Sequence, residues 1–267
     1  MLIRPHLVNK EYYLFRNFPH RGLICAFSTR ALGDMSLFYS DTQGSLKNRK
    51  NFLKELSIDY RDLVCAKQVH SSNARYVEEI DKGKGALSYS TCIPDTDALI
   101  TDKKNLPLAI FTADCLSISL YDSKTFSIGL IHAGWRSTKE DIISKTVELM
   151  QERFNTRAKD LYAGFGPAIR DCCYEVGEEF SEFFPYGLVK RDNRYYLDLA
   201  GINKKQLLDL GIGDTHIFDS GFCTSCRNNE FFSHRKEKDS YGRMMSVIMI
   251  SEAATYGTVA LQCSPIK

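Results

Sequence analysis

The sequence predicts a layered α/β or α+β fold, a mixed β-sheet flanked by helices within one domain spanning residues 1–267. Three observations predict it. Strand-like and helix-like pieces alternate along the chain, which is the pattern of a layered fold. With 267 residues and 43% hydrophobic content, the chain is long enough to bury a sizeable core. Its seven prolines and seventeen glycines are scattered, and no linker-like tract, repeat or low-complexity segment divides it.

Leu23–Ser28 reads as a strand. Residues 47–56 place Phe52, Leu53 and Leu56 on one face and read as a helix. Residues 63–69 are strand-like and end on His70, and residues 106–112 form a continuous apolar run of buried-strand type. Residues 116–121 alternate apolar and small polar side chains before an Asp122-Ser123-Lys124 turn. Residues 126–131 form the next strand and run directly into His132. Ser137 and Glu140 then have the spacing of a capping box, followed by an apolar stripe at Ile143, Val147, Met150 and Phe154. Leu161–Phe165 is a strand ending in Gly166-Pro167, and residues 199–210 read as a helix closed by Gly211. Residues 216–219 and Met244–Ile250 are further strands, and the charged stretch 236–240 reads as a mobile loop.

Lysine plus arginine total 35 against 33 acidic residues, so charge supplies no argument for a nucleic-acid or membrane-surface partner. No apolar run approaches the ~18–20 residues of a spanning helix, and the opening residues Met1 to His6 lack a secretory pattern. Nine cysteines, an odd number in a medium-sized chain, fit a reducing cytoplasm better than a disulfide scaffold.

His70, Cys115 and His132 each fall at the end of an apolar strand or in the turn beyond it. Strand ends are where a layered sheet exposes polar side chains, so the three can converge at one edge. A hairpin between Cys115 and His132 would return the chain near its start. Two imidazoles and one thiolate suit Zn²⁺ and leave a fourth tetrahedral position for water, whose pKa the ion lowers to about 7. The same donors suit copper, but a blue-copper site usually adds an axial methionine, and none lies near these motifs. Taken singly, each residue has an ordinary structural reading: a hydrogen-bonded histidine, or a small buried thiol.

The local words are more specific. Gln68-Val69-His70, Thr112-Ala113-Asp114-Cys115, His132-Ala133-Gly134-Trp135-Arg136, Gly166-Pro167-Ala168-Ile169, Cys173-Tyr174-Glu175-Val176-Gly177 and Phe231-Phe232-Ser233-His234-Arg235 occur in this order. Together they closely resemble the laccase-domain (YfiH-like) family, also called the multi-copper polyphenol oxidoreductase or purine nucleoside phosphorylase family, from about Gly22 onward. The resemblance implies a YfiH-like α/β domain with a zinc-type site on His70, Cys115 and His132. It implies phosphorolysis of adenosine, guanosine or inosine, cleavage of S-methyl-5′-thioadenosine and deamination of adenosine, with small-molecule nucleoside and phosphate as partners. The older name reflects polyphenol oxidation with copper.

Deamination needs an activated water and a proton shuttle. Asp114, beside Cys115, is the candidate by proximity, or else a turn cap or a carboxylate orienting an imidazole. Phosphorolysis needs cations or N–H groups for phosphate. Arg49, Arg136 and Arg235 are candidate guanidiniums, with the start of the helix after His132 as a possible source of N–H donors. Trp135, the one tryptophan, can stack on a purine or pack in the core. The catalytic set is therefore Cys115, His132 and Asp114, and the substrate-binding set Arg49, Trp135, Arg136 and Arg235. The chain departs from the family pattern at Ala31 to Ser36, which leaves the role of Arg30 open, and at Ser137, Arg170 and Lys236, none of which touches the three ligands.

Cys223-Thr224-Ser225-Cys226 is a CxxC, but a zinc ribbon needs a second pair and none is evident, so these read as structural loop thiols. Cys172-Cys173 reads as packing or loop structure, and Cys25, Cys65, Cys92 and Cys263 as small buried residues. Two other functions compete with the phosphorylase. A full multicopper oxidase centre needs about ten histidines, and the chain has six. A cysteine hydrolase would use Cys115 as nucleophile and His132 as base.

Overall fold

The computed structural model describes residues 6–8, 11–38, 42–238 and 242–252. Its strands fall into two six-stranded sheets and one of three strands, where the sequence predicts a single mixed sheet. The first sheet runs, in spatial order, His6–Val8, Tyr12–Leu14, Leu23–Ser28, Met244–Ile250, Leu108–Thr112 and Val64–Cys65. Only its last pair is parallel. The second runs Ile217–Asp219, Leu161–Phe165, Leu116–Asp122, Ile128–Ala133, Ala98–Thr101 and Ala74–Tyr76, with parallel pairs at both edges. Glu175–Val176, Arg194–Leu197 and Leu188–Arg191 make the small antiparallel sheet.

The two large sheets pack face to face. Leu23, Cys25, Phe27, Leu108 and Ile110 of the first share a core with Leu99, Ile128 and Leu130 of the second. A buried hydroxyl contact, Ser246 Oγ to Ser117 Oγ at 2.9 Å, also joins them. The alternate residues Ile24, Ala26, Val247 and Met249 face outward onto Phe52 and Leu53 of helix Thr42–Glu55. On the far side, Ile118, Leu120 and Ile131 meet Ile143, Val147 and Met150 of helix Ile142–Phe154, with Leu199, Ile202 and Leu207 of helix Leu199–Asp209. The order is helix, sheet, sheet, helices. Every residue of Leu23–Ser28, Leu116–Asp122, Ile128–Ala133 and Met244–Ile250 is buried. Strands covered on both faces lose their polar alternation, so nothing in their pattern tells one sheet from two.

Three local expectations change. The strand over 63–69 shrinks to Val64–Cys65. Beyond it, the Gln68 side-chain amide replaces the backbone ladder: its Nε2 donates to the Phe111 carbonyl and its Oε1 accepts from the Phe111 N–H, both at 2.8 Å. Ser137 does not cap the long helix. It sits in a separate short helix, Trp135–Lys139, where its Oγ accepts from the Gly134 N–H at 2.9 Å. The helix Ile142–Phe154 starts afresh after Asp141, whose φ is 60°. The charged stretch after Ser233 begins as a short helix, His234–Glu237, while Asp239 and Ser240 lie outside the described residues. Gly211 closes its helix as expected, with φ of 94° and its N–H on the Leu208 carbonyl. Cys25, Cys65 and Cys92 are buried, and Cys263 lies outside the described residues.

Arg30 gains a defined role. Its Nη2 donates to Glu237 Oε2 at 2.5 Å, and the same carboxylate accepts from Asn228 Nδ2 and the Ser233 N–H. Burial raises the Glu237 carboxyl, but these three donors outweigh it and hold the group below its ordinary value. A carboxylate with a depressed folded pKa stabilises above the unfolded pKa, and that contribution fades as pH falls through the folded value. Glu237→Gln is therefore expected to cost about 1–2 kcal/mol at neutral pH. Denaturant titrations should show the gap to wild type closing as pH drops below the ordinary glutamate range; a gap constant with pH would refute the assignment.

Candidate metal centre and its cavity

A loop, a crossover between the sheets and a strand end supply the site. The chain leaves the Gln68 clamp into left-handed backbone at His70, φ 62°. Cys115 sits where the chain passes from the first sheet to the second, directly after Asp114 with φ 89°. His132 lies near the end of Ile128–Ala133, opposite Ser117 in the antiparallel register. The hairpin thus folds His132 back beside Cys115. Cys115 Sγ is 3.8 Å from His70 Nε2, and one donor atom from each of the three residues falls within 4.8 Å of the others.

Asp97, which sequence reasoning missed, organises this group. Its Oδ1 lies 2.7 Å from His132 Nδ1 and accepts the His70 backbone N–H at 3.0 Å. Its Oδ2 accepts from the Ser71 N–H, the Ser71 hydroxyl and the Val69 N–H. Its own carbonyl takes the His132 N–H at 2.7 Å. One fully buried carboxylate therefore fixes the imidazole of one donor and the backbone of another. With Nδ1 held by Asp97, Nε2 is the nitrogen left for a metal. The signal for it was a carboxylate immediately before the apolar strand Ala98–Thr101, whose Ala98 pairs with Ile131.

The electrostatics favour the thiolate. Burial raises the Cys115 thiol, but the charge and hydrogen bond of His132, then those of His70, overcome it and bring it down to about 6. Burial lowers His132, while Cys115 and Asp97 raise it to about 9. The thiolate is the form that binds metal. Gly134 presses against the pair: a Cβ there would lie 3.0 Å from His70 Cδ2 and 3.2 Å from Cys115 Sγ. Gly134→Ala should spread the donors by a few tenths of an ångström and weaken metal binding about tenfold, comparable to losing an outer contact. Competition with a chelator measures this, and an unchanged affinity would refute the packing argument.

The donors open into a cavity of about 570 Å³, within the range of small-molecule sites. All the sequence-predicted side chains line it, but their environments differ. Arg49 is buried, and its Nε and Nη1 donate to the carbonyls of Met35, Gly85 and Ala86. Asp114 bridges two loops, with Oδ1 accepting from Thr224 Oγ1 at 2.5 Å and Oδ2 from the Arg235 N–H at 2.6 Å. It does not contact an imidazole; Asp97 takes that position. Trp135 packs on Phe180 and Phe183, and the Arg136 guanidinium lies 4.3 Å from its ring centroid. Arg235 is exposed and donates from Nη1 to the Glu175 carbonyl. Sequence reasoning also missed Tyr174, whose phenol is held above its ordinary range by burial and then by the Cys115 charge. It missed the rim pair Phe38 and Tyr89 too, with ring centroids 4.7 Å apart. No methionine is among the described residues that line the cavity.

The fold and the donors define a mixed α/β protein with stacked sheets and a cysteine–histidine group able to hold a metal. The chain belongs to the multi-copper polyphenol oxidoreductase laccase family, whose model matches residues 30–251. Purine nucleoside phosphorylase YlmD of Geobacillus stearothermophilus is 33% identical over 249 residues, 86% of this chain and 91% of its own. Adenosine deaminase RL5, from an unknown prokaryotic organism, is 30% identical over 212 residues, 76% of this chain and 80% of its own. The crystal structure of the Bacillus licheniformis hypothetical protein YfiH superposes with a TM-score of 0.87 at 30% identity, covering 92% of this chain and 99% of that one.

Proposed function

We propose that the protein is a zinc-dependent purine nucleoside phosphorylase that also deaminates adenosine and cleaves S-methyl-5′-thioadenosine. The observation that carries this reading is the donor set itself: one thiolate and two imidazoles, one of them oriented by Asp97, at a cavity of nucleoside size. These donors fit a divalent zinc, and His70, Cys115 and His132 would hold it. Bound there, the ion supplies a Lewis acid and an acidified water. The family names given to the relatives above support the substrate class.

The protein's own groups divide the remaining work. Arg136 and Arg235 present guanidinium charge to the cavity for a phosphate. Arg49 enters as a buried strut, since its Nε and Nη1 donate to backbone carbonyls. Phe38, 54% exposed beside Tyr89, offers a flat apolar surface to a base. Trp135 forms the wall behind Arg136. Asp114 keeps the Thr224 and Arg235 loops in place and remains within the cavity as a proton carrier for deamination.

Zinc-loaded protein incubated with adenosine, with and without phosphate, tests the reading by chromatography. Adenine with ribose 1-phosphate is expected when phosphate is present, and inosine in either case. If neither adenine nor inosine forms, the reading fails. The geometry also favours a second reading, because Asp97, His132 and Cys115 line up as carboxylate, base and thiol. Alkylation separates the two: a zinc-held Cys115 resists iodoacetamide until a chelator is added, whereas a hydrolase nucleophile reacts equally in both states.

A further inference from the structure

A second group of thiols lies outside the cavity. Cys172 and Cys173 occupy a tight turn, with the Cys173 and Tyr174 N–H groups both on the Arg170 carbonyl. Cys223 and Cys226 lie on the loop after Ile217–Asp219. Cys173 Sγ is 3.3 Å and Cys172 Sγ 3.5 Å from Cys226 Sγ, and all four sulfurs fall within 4.8 Å of one another. A tetrahedral zinc with four Zn–S bonds of about 2.3 Å has sulfur–sulfur edges of about 3.8 Å, the middle of this range. The separations are far beyond a disulfide bond of about 2.05 Å, and all four are free thiols.

Packing does not account for the group. Unbridged cysteine is among the most buried residue types, yet Cys172 and Cys226 are exposed. Contacts away from the sulfurs also hold the two segments together. Arg170, just ahead of the turn, makes a two-pronged ion pair with Asp219 at 2.8 and 2.6 Å and donates to the Phe222 carbonyl. Ala168 bridges to Cys223, and the Thr224 N–H reaches the Ala168 carbonyl. The two segments are thereby held in register on either side of the sulfurs. CxxC followed across space by a second pair is the ligand pattern of a structural zinc site. The second pair escapes a spacing search because it is contiguous and lies about fifty residues upstream.

The geometry points to a structural Zn²⁺ site formed by Cys172, Cys173, Cys223 and Cys226, separate from the cavity donors. Its consequence is mechanical. The turn continues into Tyr174, and the CxxC loop carries Thr224, the hydroxyl that holds Asp114. An ion there would clamp the segment that carries Tyr174 into the cavity wall to the loop whose Thr224 holds Asp114.

The test is zinc counting on the full chain purified from zinc-supplemented medium. Wild type is expected to carry two zinc per chain and the Cys115→Ala/His132→Ala variant one. X-ray absorption of that remaining ion should show sulfur alone at about 2.3 Å. Cys223→Ser/Cys226→Ser should drop wild type from two to one while keeping the nitrogen-containing shell. A folded Cys115→Ala/His132→Ala variant with no zinc overturns the site, as does a shell containing nitrogen or oxygen, or iron in place of zinc. If a variant fails to fold, mercurial titration of wild type decides. Release of a second zinc equivalent as four further thiols react supports the site; release of one equivalent only overturns it. Failure of the cavity centre looks different, because Cys115→Ala/His132→Ala would then bind as much zinc as wild type.

Discussion

Cys115→Ala should abolish product formation from adenosine and empty the cavity centre of metal. Removing the thiolate leaves two imidazoles, one fewer than the three protein ligands of a catalytic zinc site. The imidazoles also lose the charge that draws a cation between them, since Cys115 is the group that raises His132 most strongly against burial. Outer contacts alone are worth about 10–100-fold in metal affinity, so loss of a direct thiolate donor should exceed about 100-fold. Turnover should fall by at least about a thousandfold, or about 4 kcal/mol of transition-state stabilisation. Cys115→Ser keeps an oxygen donor of poorer softness and should fall between the two. Metal analysis after gel filtration, paired with the chromatographic assay, reads both quantities. A Cys115→Ala protein that retains the wild-type zinc count and forms adenine or inosine at the wild-type rate would remove the basis for a metal centre here.

The structure gathers His70, Cys115 and His132, three residues whose signal in the sequence is local. His132 closes the apolar run 128–131, Cys115 follows the turn after Leu108–Thr112, and His70 lies in the loop beyond Val64–Cys65. The layer arrangement was not legible, since Leu23–Ser28 and Ile128–Ala133 are buried on both faces and carry the same pattern although they belong to different sheets. Segments whose structure depends on side-chain substitution for the backbone were also misjudged. The Gln68 amide ends a strand that apolar content alone would extend to Val69. Ser137 has the spacing of a cap, yet its hydroxyl serves Gly134 in a preceding turn, and the left-handed Asp141 separates it from the long helix. The strand Arg194–Leu197 in the small sheet runs from exposed Arg194 through two half-buried tyrosines to buried Leu197, too short an apolar run to announce it. Contacts between distant segments were not legible: the carboxylate of Asp97 precedes an apolar strand, but nothing local places it under His132, nor the contiguous Cys172 and Cys173 against the CxxC loop.

Asp97→Asn is the sharper probe of the centre, because it leaves all three donors in place. Two carboxylate oxygens serve five donors: His132 Nδ1 and the His70 N–H on Oδ1, and the Val69 N–H, the Ser71 N–H and the Ser71 hydroxyl on Oδ2. An asparagine offers one acceptor oxygen. If that oxygen faces His132, the new NH₂ group points at the backbone N–H groups of Val69 and Ser71. If it faces them, the NH₂ group confronts His132 and forces the neutral ring to place its proton on Nε2, the nitrogen a metal needs bare. Either orientation leaves buried donors unsatisfied at about 1–3 kcal/mol each. A total near 3 kcal/mol corresponds to a fall in Tm of about 6–12 °C for a chain of this size. Zinc affinity should fall about 10–100-fold with it. The two readouts separate the causes. A drop in Tm with zinc affinity unchanged would make Asp97 a loop anchor only, whereas a drop in both, with Asp97→Glu failing to restore binding because the longer carboxylate cannot reach both clusters, identifies it as the residue that sets the imidazole for metal.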